Sequence, residues 1–513
     1  MPTETELKLA LEGVTAEQLQ AQPEIRAHAV GTARERQLDN IYFDTARLLL
    51  SGRDVALRLR RDGDRWLQTV KTSGSASAGL HQRGEWETPV AGESLELDRF
   101  DHPQLKKMFG KPGLREALMP VFRTDFQRTT WDLEYPHGVR IEMALDLGQI
   151  QAGEHTEAIS EVELELIEGK PEDLLKTGRA LAQTLPVRLL NASKAERGYR
   201  LGAYTPPAGA TKPGPLGLHK KASAEQAFIA ILRQGMFRLQ ANEPLVLAKP
   251  RDIEGVHQMR VATRRMRSCL QLYRPLIPKA VSVDIGNGIR RVTDALGPAR
   301  DWDVFIEETL QPLGQEFPRH QSLQALAQAA RDQRETVYQA AASAIQSRDY
   351  AVLLLDLSLW IEQRAWRKSL SRVQIDALDQ RARRFAREVL DRYHKKVIRQ
   401  GRRFETLDAV QRHQLRIRFK RLRYAAEFFA DLFGNKSSQA YISSLATIQD
   451  VLGVLNDGRM VEHLIAQIPS QGETAATDLV RGWTAANVRA HLNQFAVAWE
   501  DFASRGPYWN QTT

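Results

Sequence analysis

The sequence predicts a multi-domain α+β chain: an N-terminal eight-stranded antiparallel β-barrel, then an all-α region of two helical bundles related by a pseudo-two-fold. Three observations predict it. Apolar and charged residues alternate with period two up to about residue 204. A Pro- and Gly-rich stretch follows, and beyond it long helical patterns contain an internal repeat at a constant offset of 156 residues. A chain of 513 residues also exceeds what one core usually supports.

The strands are expected near residues 2–11, 36–44, 54–61, 65–72, 83–90, 121–133, 138–148 and 159–167. Asp62-Gly63-Asp64 and Pro136-His137-Gly138 are hairpin signals. On these strands Glu4, Glu6 and Lys8 share one face, and Arg58 and Arg60 alternate with Val55, Leu57 and Leu59. Arg140, Glu142 and Asp146 alternate with Ile141, Met143 and Leu145, and Glu161, Glu163 and Glu165 with Val162, Leu164 and Leu166. A single charged face would look at water. Several, carrying both signs, converge if the barrel turns its apolar face outward beneath covering helices. Such helices are expected over 15–21, 101–109 and 171–185, the last opening at Pro171 with Glu172 and Asp173 in its first turn. A tunnel lined by carboxylates and cations suits a metal-bound polyanion.

Residues 205–218, from Thr205-Pro206-Pro207 to Pro213-Gly214-Pro215, have the composition of a semi-rigid spacer between a domain of residues 1–204 and a helical domain of residues 219–505. In the helical part His257-Gln258-Met259-Arg260-Val261 returns as His413-Gln414-Leu415-Arg416-Ile417, and Arg264-Arg265-Met266-Arg267 as Lys420-Arg421-Leu422-Arg423. Asp294 to Gly297 and Asp301 return as Asp450 to Gly453 and Asp457, so the offset holds without a gap over more than forty residues. At 100° per residue His257, Arg260, Arg264, Arg267 and Arg274 fall in one arc and Met259, Met266, Leu270 and Tyr273 in another. His413, Arg416, Lys420 and Arg423 repeat the basic stripe.

Residues 1–218 hold 28 Lys and Arg against 32 Asp and Glu, a net −4, while the remainder holds 44 against 31, a net +13. Basicity confined to one half points to an acidic partner there. The stripes lack aromatic stacking platforms, so nucleic acid is not favoured, whereas polyphosphate needs only spaced charge. The alternative is internal pairing, with Asp301, Asp303, Asp450 or Asp457 folded back onto the stripes. Tyr350–Ile361 is too short to span a bilayer and is interrupted by Asp356, so it reads as a buried helix and no membrane association is expected. The acidic amino terminus does not resemble a secretory signal. A lone Cys269 excludes an intramolecular disulfide and reads as core. There is no P-loop and no H-E-x-x-H site, and nothing in the pattern fixes an oligomeric state.

Glu4-x-Glu6-x-Lys8, Leu57-Arg58-Leu59-Arg60, Thr69-Val70-Lys71, Glu85-Trp86-Glu87, Arg123 to Arg128, Asp146-Leu147-Gly148, Glu161 to Glu165 and Ser193-Lys194 together resemble the CYTH domain, the triphosphate tunnel metalloenzymes. The helical part resembles the CHAD domain, its pattern matching at His257, Arg260, Arg264, Arg265 and Arg267 and at His413, Arg416, Lys420, Arg421 and Arg423. The resemblance implies hydrolysis of inorganic triphosphate to pyrophosphate and phosphate, as in bacterial CYTH–CHAD proteins, and a polyphosphate-binding surface on the helices.

Within that reading Glu4, Glu6, Glu163 and Glu165, with Asp146 and Glu161 as further candidates, would hold Mg²⁺ or Mn²⁺, which prefer carboxylate oxygens. Glu161, Glu163 and Glu165 share one face, so the sequence does not choose among them. Lys8, Arg58, Arg60, Lys71, Arg123 or Arg128, and Lys194 would grip phosphate oxygens, and Glu4, Glu6, Lys8 and Lys71 would act closest to the chemistry. Glu87, Arg61 and Arg65 read as solvated charges, and Arg140 with Glu142 as a cross-strand ion pair. The rival activities are a CYTH-type adenylate cyclase, a nucleoside or thiamine triphosphatase, and a non-catalytic polyphosphate-binding or targeting protein. The expected location is cytoplasmic, in association with polyphosphate granules.

Overall fold

The alternating stretches become nine β-strands in the computed structural model of the chain, which describes residues 3–202, 209–454, 457–468 and 475–510. The strands are β1 (Thr3–Leu11), β2 (Ala29–Thr45), β3 (Ala56–Asp62), β4 (Arg65–Ser77), β5 (Leu80–Val90), β6 (Leu118–Tyr135), β7 (Val139–Ala152), β8 (His155–Glu168) and β9 (Val187–Leu189). They lie in the order β5-β4-β3-β2-β6-β7-β8-β1-β9, and β5 also pairs with β1. That pairing, Thr3 opposite Gly84 through Leu7 opposite Leu80, closes eight long antiparallel strands into a barrel. The short β9 takes over the edge of β1 from Leu9 to Leu11.

Period two decides which side of the wall each residue occupies. Leu7, Leu9, Leu57, Leu59, Met143, Val162 and Leu164 are fully buried on the outer face, each contributing roughly 1.5–3 kcal/mol by leaving water. The covering elements are α1 (Ala16–Gln20), α2 (Pro23–His28), α3 (Pro103–Phe109), α4 (Pro112–Glu116) and α5 (Pro171–Thr184), while α6 (Lys194–Leu201) lies against the interior side, its Lys194 reaching Asp146 and Glu161. Around α3, Leu105 and Phe109 pack with Leu57, Val70 and Phe100. At one end Leu38, Tyr42, Phe122, Phe126, Ile150 and Tyr199 cluster beneath α6. A Cβ on Gly198 would meet the Phe122 ring at 2.2 Å, so only glycine lets α6 lie this close.

The strands run longer than the alternation suggests. β2 begins at Ala29, and its segment Arg34-Glu35-Arg36 pairs with Thr130, Thr129 and Arg128. Ladder hydrogen bonds need no apolar face, so a strand polar on both sides carries no period-two signal. Two short Pro-initiated helices, α2 and α4, were equally without an apolar stripe long enough to read.

The remaining helices are α7 (Ala224–Ala241), α8 (Glu243–Leu247), α9 (Ile253–Leu272), α10 (Val283–Ala295), α11 (Gly297–Phe305), α12 (Gln311–Glu316), α13 (Gln321–Ile345), α14 (Arg348–Glu362), α15 (Arg372–Asp379), α16 (Ala382–Gly401), α17 (Ala409–Phe429), α18 (Asn435–Val454), α19 (Asp457–Ile465) and α20 (Ala475–Ser504). The chain divides into two compact units, Met1–Gly209 with Gln346–Ala365, and Ala210–Ile345 with Trp366–Thr513. Among the described residues no helix is long and apolar enough to cross a membrane.

The repeat is visible in the caps. Asp252 opens α9, accepting from the Glu254 amide, and Asp408 opens α17 in a capping box with Gln411. These caps also lie 156 residues apart, and each places its histidine five positions into the helix. Met259, Met266 and Cys269 on α9, and Leu415, Phe419 and Leu422 on α17, are fully buried. Residue 204 and spacer residues 205–208 lie outside the described residues. The rest of the spacer runs against the helical unit: Thr211 exchanges hydrogen bonds with Asn242, and the Gly217 amide donates to Asp431.

Candidate active site in the barrel

The interior face gathers most of the charged residues that the alternation singles out. Glu6 and Lys8 are 2% exposed, and Asp146 and Glu161 are fully buried. In the wall formed by β1, β4 and β5, Lys71 Nζ reaches Glu4 at 3.0 Å and Glu85 at 2.9 Å. Arg83 binds Glu4 through Nε at 3.2 Å and also pairs with Glu6, whose other oxygen lies 2.9 Å from Lys8 Nζ. Lys8 continues the chain of contacts to Glu163.

Opposite them, Arg128 grips Asp146 with two 2.7 Å hydrogen bonds and Glu163 with one of 2.5 Å. Lys194, at the first turn of α6, donates to Asp146 at 2.6 Å, Glu161 at 2.5 Å and Glu163 at 3.1 Å. Ser193 caps that helix with Glu196, which fixes where the ammonium enters. One turn on, Arg197 donates to Glu157 at 2.6 Å and Glu161 at 2.7 Å. Oxygens of Asp146, Glu161 and Glu163 lie within 4.8 Å of one another, a group able to hold a metal ion. Burial disfavours all these charges, yet the opposite charges prevail: Glu6, Asp146 and Glu163 titrate below the usual carboxylate range, and Lys8 and Lys194 above the usual lysine range.

Two interior groups stand outside this mutual compensation. Arg60 donates from Nε to Asn40 at 2.8 Å, and among the described residues no carboxylate lies within ion-pairing reach of it. Burial, with Arg58 and Arg128 beside it, lowers its guanidinium to about 10. Arg58 is 3.5 Å from Glu85 but leaves its buried Nε without a partner. Glu165 lies opposite Glu6 on β1 and Glu142 on β7. It is the one predicted metal-binding carboxylate that no cation pairs among the described residues. Burial and the charges of Glu4, Glu142 and Glu85 push it up to about 7. Hard carboxylate oxygens suit a divalent cation: Asp146, Glu161 and Glu163 are the group brought closest together, with Lys194 projecting into it, while Glu165 faces Glu6 and Glu4, which Lys8, Lys71 and Arg83 already pair.

Arg123 is not among the converging groups. It is five positions from Arg128 along an unbulged stretch of β6, and so lies exposed on the opposite face. Glu142 pairs with Arg34, at 3.6 Å, and not with Arg140. Arg83, Asn40 and Arg197 belong to the lining but were missed. Arg83 becomes interior through the closing β1–β5 pair, which no local pattern announces. Arg197 did have a signal, its i,i+3 spacing from Lys194 on a capped helix.

On α9 and α17 the basic residues divide. Arg267 is exposed, while His257, Arg260 and Arg264 are half-buried; Arg274, expected on the same stripe, is exposed but lies two residues past the end of α9. Arg260 Nη1 donates to the Thr293 carbonyl at 3.3 Å, and Arg264 donates to the Tyr424 hydroxyl. Arg265 is 4% exposed, ion-paired with Glu427 and set over the Phe428 ring at 4.7 Å. It ties α9 to α17 instead of facing solvent. In the second copy Arg423 also pairs with Glu427, at 2.8 Å, Arg421 and His413 are exposed, and Arg416 and Lys420 are half-buried. Of the aspartates that could fold back, Asp301 is near Arg260 and Arg300, whose charges partly offset the burial that raises it. Asp303 accepts instead from Tyr338, at 2.9 Å, and Asp450 is exposed. The side chain of Asp457 lies outside what is described.

Comparison with known proteins matches residues 2–199 to the CYTH domain and residues 230–466 to the CHAD domain. The chain belongs to the CYTH–CHAD proteins. An inorganic triphosphatase of Haemophilus influenzae is 35% identical over 207 residues, which are 40% of this chain and 56% of that relative's length. An uncharacterized protein of Mycobacterium tuberculosis is 28% identical over 471 residues, covering 84% of this chain and 82% of its own. The crystal structure of the CHAD domain from the plant Ricinus communis is 31% identical, with 58% of this chain and 98% of that one covered, at a TM-score of 0.49.

Proposed function

We propose that the barrel of this CYTH–CHAD protein hydrolyses inorganic triphosphate to pyrophosphate and phosphate with Mg²⁺ or Mn²⁺. One observation carries the reading: among the described residues the interior holds positive charge at Arg60 that no carboxylate pairs and negative charge at Glu165 that no cation pairs. A polyanion bound with a divalent cation satisfies both, whereas neither ligand alone does. The similarity to a protein named an inorganic triphosphatase supports the choice of substrate.

In this reading Arg58, Arg60 and Arg128 receive the phosphate oxygens, the Arg forks suiting bidentate contact. Lys8 and Lys71, held by Glu6 and Glu4, supply further cationic contacts on the facing wall. Lys194, anchored by three carboxylates, sets the depth to which the chain of phosphates enters. Glu4, Glu6 and Glu165 would hold the metal, with Glu163 at the junction of the two walls. A divalent cation there supplies neutralisation of phosphate charge and orientation of the attacking water. The walls themselves keep their charges fixed before substrate arrives, so little reorganisation is needed in the transition state. A panel of tripolyphosphate, ATP and thiamine triphosphate, with and without EDTA, tests the proposal. Preferred, EDTA-sensitive release of phosphate from tripolyphosphate is expected, and metal-independent turnover would refute it.

The helical unit is proposed to bind long-chain polyphosphate through the two stripes, with His257, Arg260, Arg264 and Arg267 on one and His413, Arg416, Lys420, Arg421 and Arg423 on the other. Support comes from their single sign and the +13 balance of residues 219–513. Counterion release makes the affinity fall steeply with salt. Full-length protein with Arg260, Arg264, Arg267, Arg416, Lys420 and Arg423 replaced by Ala should lose binding yet keep tripolyphosphate hydrolysis. Such a protein would act in the cytoplasm, where polyphosphate granules offer its ligand.

A further inference from the structure

The chain leaves the helical unit at Ile345, contributes one helix to the barrel unit, and returns at Trp366. That helix, α14, is capped by Ser347 and buries Tyr350, Ala351, Leu353, Leu354, Leu355, Leu357 and Ile361, apolar on every side. Its neighbours in the barrel unit are α5 and β9. Helix α5 has a buried arc of about 160°, from Thr177 through Gly178 to Leu175, wider than a sheet alone covers. Gly178 shows why. A Cβ there would lie 2.4 Å from Leu7 of β1 and 3.7 Å from Leu355 of α14, so the missing side chain lets the strand and an outer pair of helices, α5 and α14, converge at one point. Polar contacts fix the register of the outer pair. Asp356, the one acid in the apolar run, pairs with Arg179, and Arg348 Nη1 donates at 2.9 Å to the Gln183 carbonyl in the last turn of α5.

Both neighbours of α14 lead to the tunnel through β1: α5 packs on that strand and β9 pairs with it. Leu7 stands between Glu6 and Lys8 on β1. β9 is followed by Leu190, whose amide donates to the Lys8 carbonyl at 2.9 Å, and then by Ser193 and Lys194. We propose that α14 is a working part of the barrel, and that Leu355 with the Arg179–Asp356 pair positions β1 and the β9–Lys194 segment for the chemistry. The inference rests on the triphosphatase reading for its kinetic consequence alone. A segment some 140 residues beyond the barrel in sequence thereby sets the geometry of Glu6, Lys8 and Lys194.

The test uses the full-length protein. Leu355→Ala should lower kcat for tripolyphosphate about tenfold with KM within about twofold, the scale of loss expected when reacting groups shift by a fraction of an ångström. Leu355→Met should restore it. Asp356→Arg should be impaired and the combination with Arg179→Asp restored, a half-exposed pair that tolerates exchange without unfolding. Amide exchange should accelerate in residues 3–11 and 187–190 of Leu355→Ala and stay unchanged in the β6–β7 hairpin. Unchanged exchange and kcat in Leu355→Ala and Asp356→Arg would overturn the proposal. If the wild-type protein fails to hydrolyse tripolyphosphate, the proposed activity falls, and the exchange pattern still decides whether α14 holds β1 and β9.

Discussion

The barrel interior and the basic faces of α9 and α17 both present charge at regular spacing, but the cost of an unpaired charge differs between them. Inside the barrel Glu6, Lys8, Asp146, Glu161 and Lys194 are nearly or wholly removed from water, where an ion without a partner costs several kcal/mol. Almost every group there is paired, so the exceptions, Arg60 and Glu165, are informative. On the helices Arg267 and Arg421 are solvated, and an unpaired arginine in water costs almost nothing. A gap in compensation therefore points to a ligand in the first region and carries far less weight in the second.

The sharpest way to break this comparison is to neutralise the tunnel's uncompensated acid. Glu165→Gln, like Glu4→Gln or Glu6→Gln, should lower kcat for tripolyphosphate by about a hundredfold or more. Because Glu165 pairs with no cation among the described residues, its replacement should leave thermal stability unchanged or raised, whereas Glu6→Gln takes one of two acidic partners from each of Lys8 and Arg83 and should lower it. Equal loss of stability in both variants would show that Glu165 is structurally compensated after all.

Next in size is the contrast between two interior cations. Arg60→Ala should raise KM by about tenfold to a hundredfold, the loss of one charge-assisted contact, with no loss of melting temperature, since folding works against that charge. Lys194→Ala should instead destabilise the protein by about 3–5 kcal/mol, because Asp146, Glu161 and Glu163 lose a shared partner. Kinetics and thermal melts on both variants read this directly.

A smaller effect follows from titration of Glu165. Its carboxyl is pushed up to about 7 by burial and neighbouring acids in the metal-free protein, and a metal takes only the ionised form. Apparent Mn²⁺ affinity should therefore climb by up to about tenfold per pH unit below 7 and level off above it. Equilibrium binding at pH 6, 7 and 8 tests the sign, and Glu165→Gln should flatten the profile.

These contrasts also show what the sequence could carry. Glu4, Glu6 and Lys8 were legible because period two alone puts them on one face, and Leu7 and Leu9 on the other. Arg123 and Arg128 could not be separated, since which side of β6 faces inward depends on register against β7, a long-range property. Arg83 was hidden for the same reason: its role exists only once β5 closes on β1. The repeat told which helices match, but not that Arg265 would turn inward to Glu427. The apolar run at Tyr350–Ile361 announced burial without saying where, because a helix apolar on every side has no face that names its neighbour.

On the helices, removal of a solvated stripe residue and of an inward one should separate cleanly. Arg267→Ala should weaken polyphosphate binding modestly and reduce the log-log salt slope by about 1, as for one lost phosphate contact. Arg265→Ala should act on stability, by about 2 kcal/mol, through lost packing on Phe428 and the broken ion pair with Glu427. If Arg265→Ala altered the slope while leaving the melt untouched, the inward orientation would be wrong.

The smallest expected effect asks whether a gap in compensation always signals a ligand. Asp303 is fully buried in the helical unit, with one oxygen accepting from Tyr338 and the other without a hydrogen bond. Burial pushes it up to about 6, only partly offset by the Tyr338 hydrogen bond and by Arg334. An acid whose pKa is higher folded than unfolded holds its proton more tightly in the native state. Its contribution is thus most favourable below about pH 4 and is lost as pH rises toward 6, each tenfold difference in proton affinity being worth about 1.4 kcal/mol. Stability measured by urea melts between pH 4 and 7 should fall by about 2 kcal/mol from this group, and Asp303→Asn should remove that slope while leaving polyphosphate affinity unchanged. A changed affinity would place Asp303 with Glu165, as a charge kept for a ligand; an unchanged one would mark it as a cost of packing Trp302 and Tyr338, which no ligand repays.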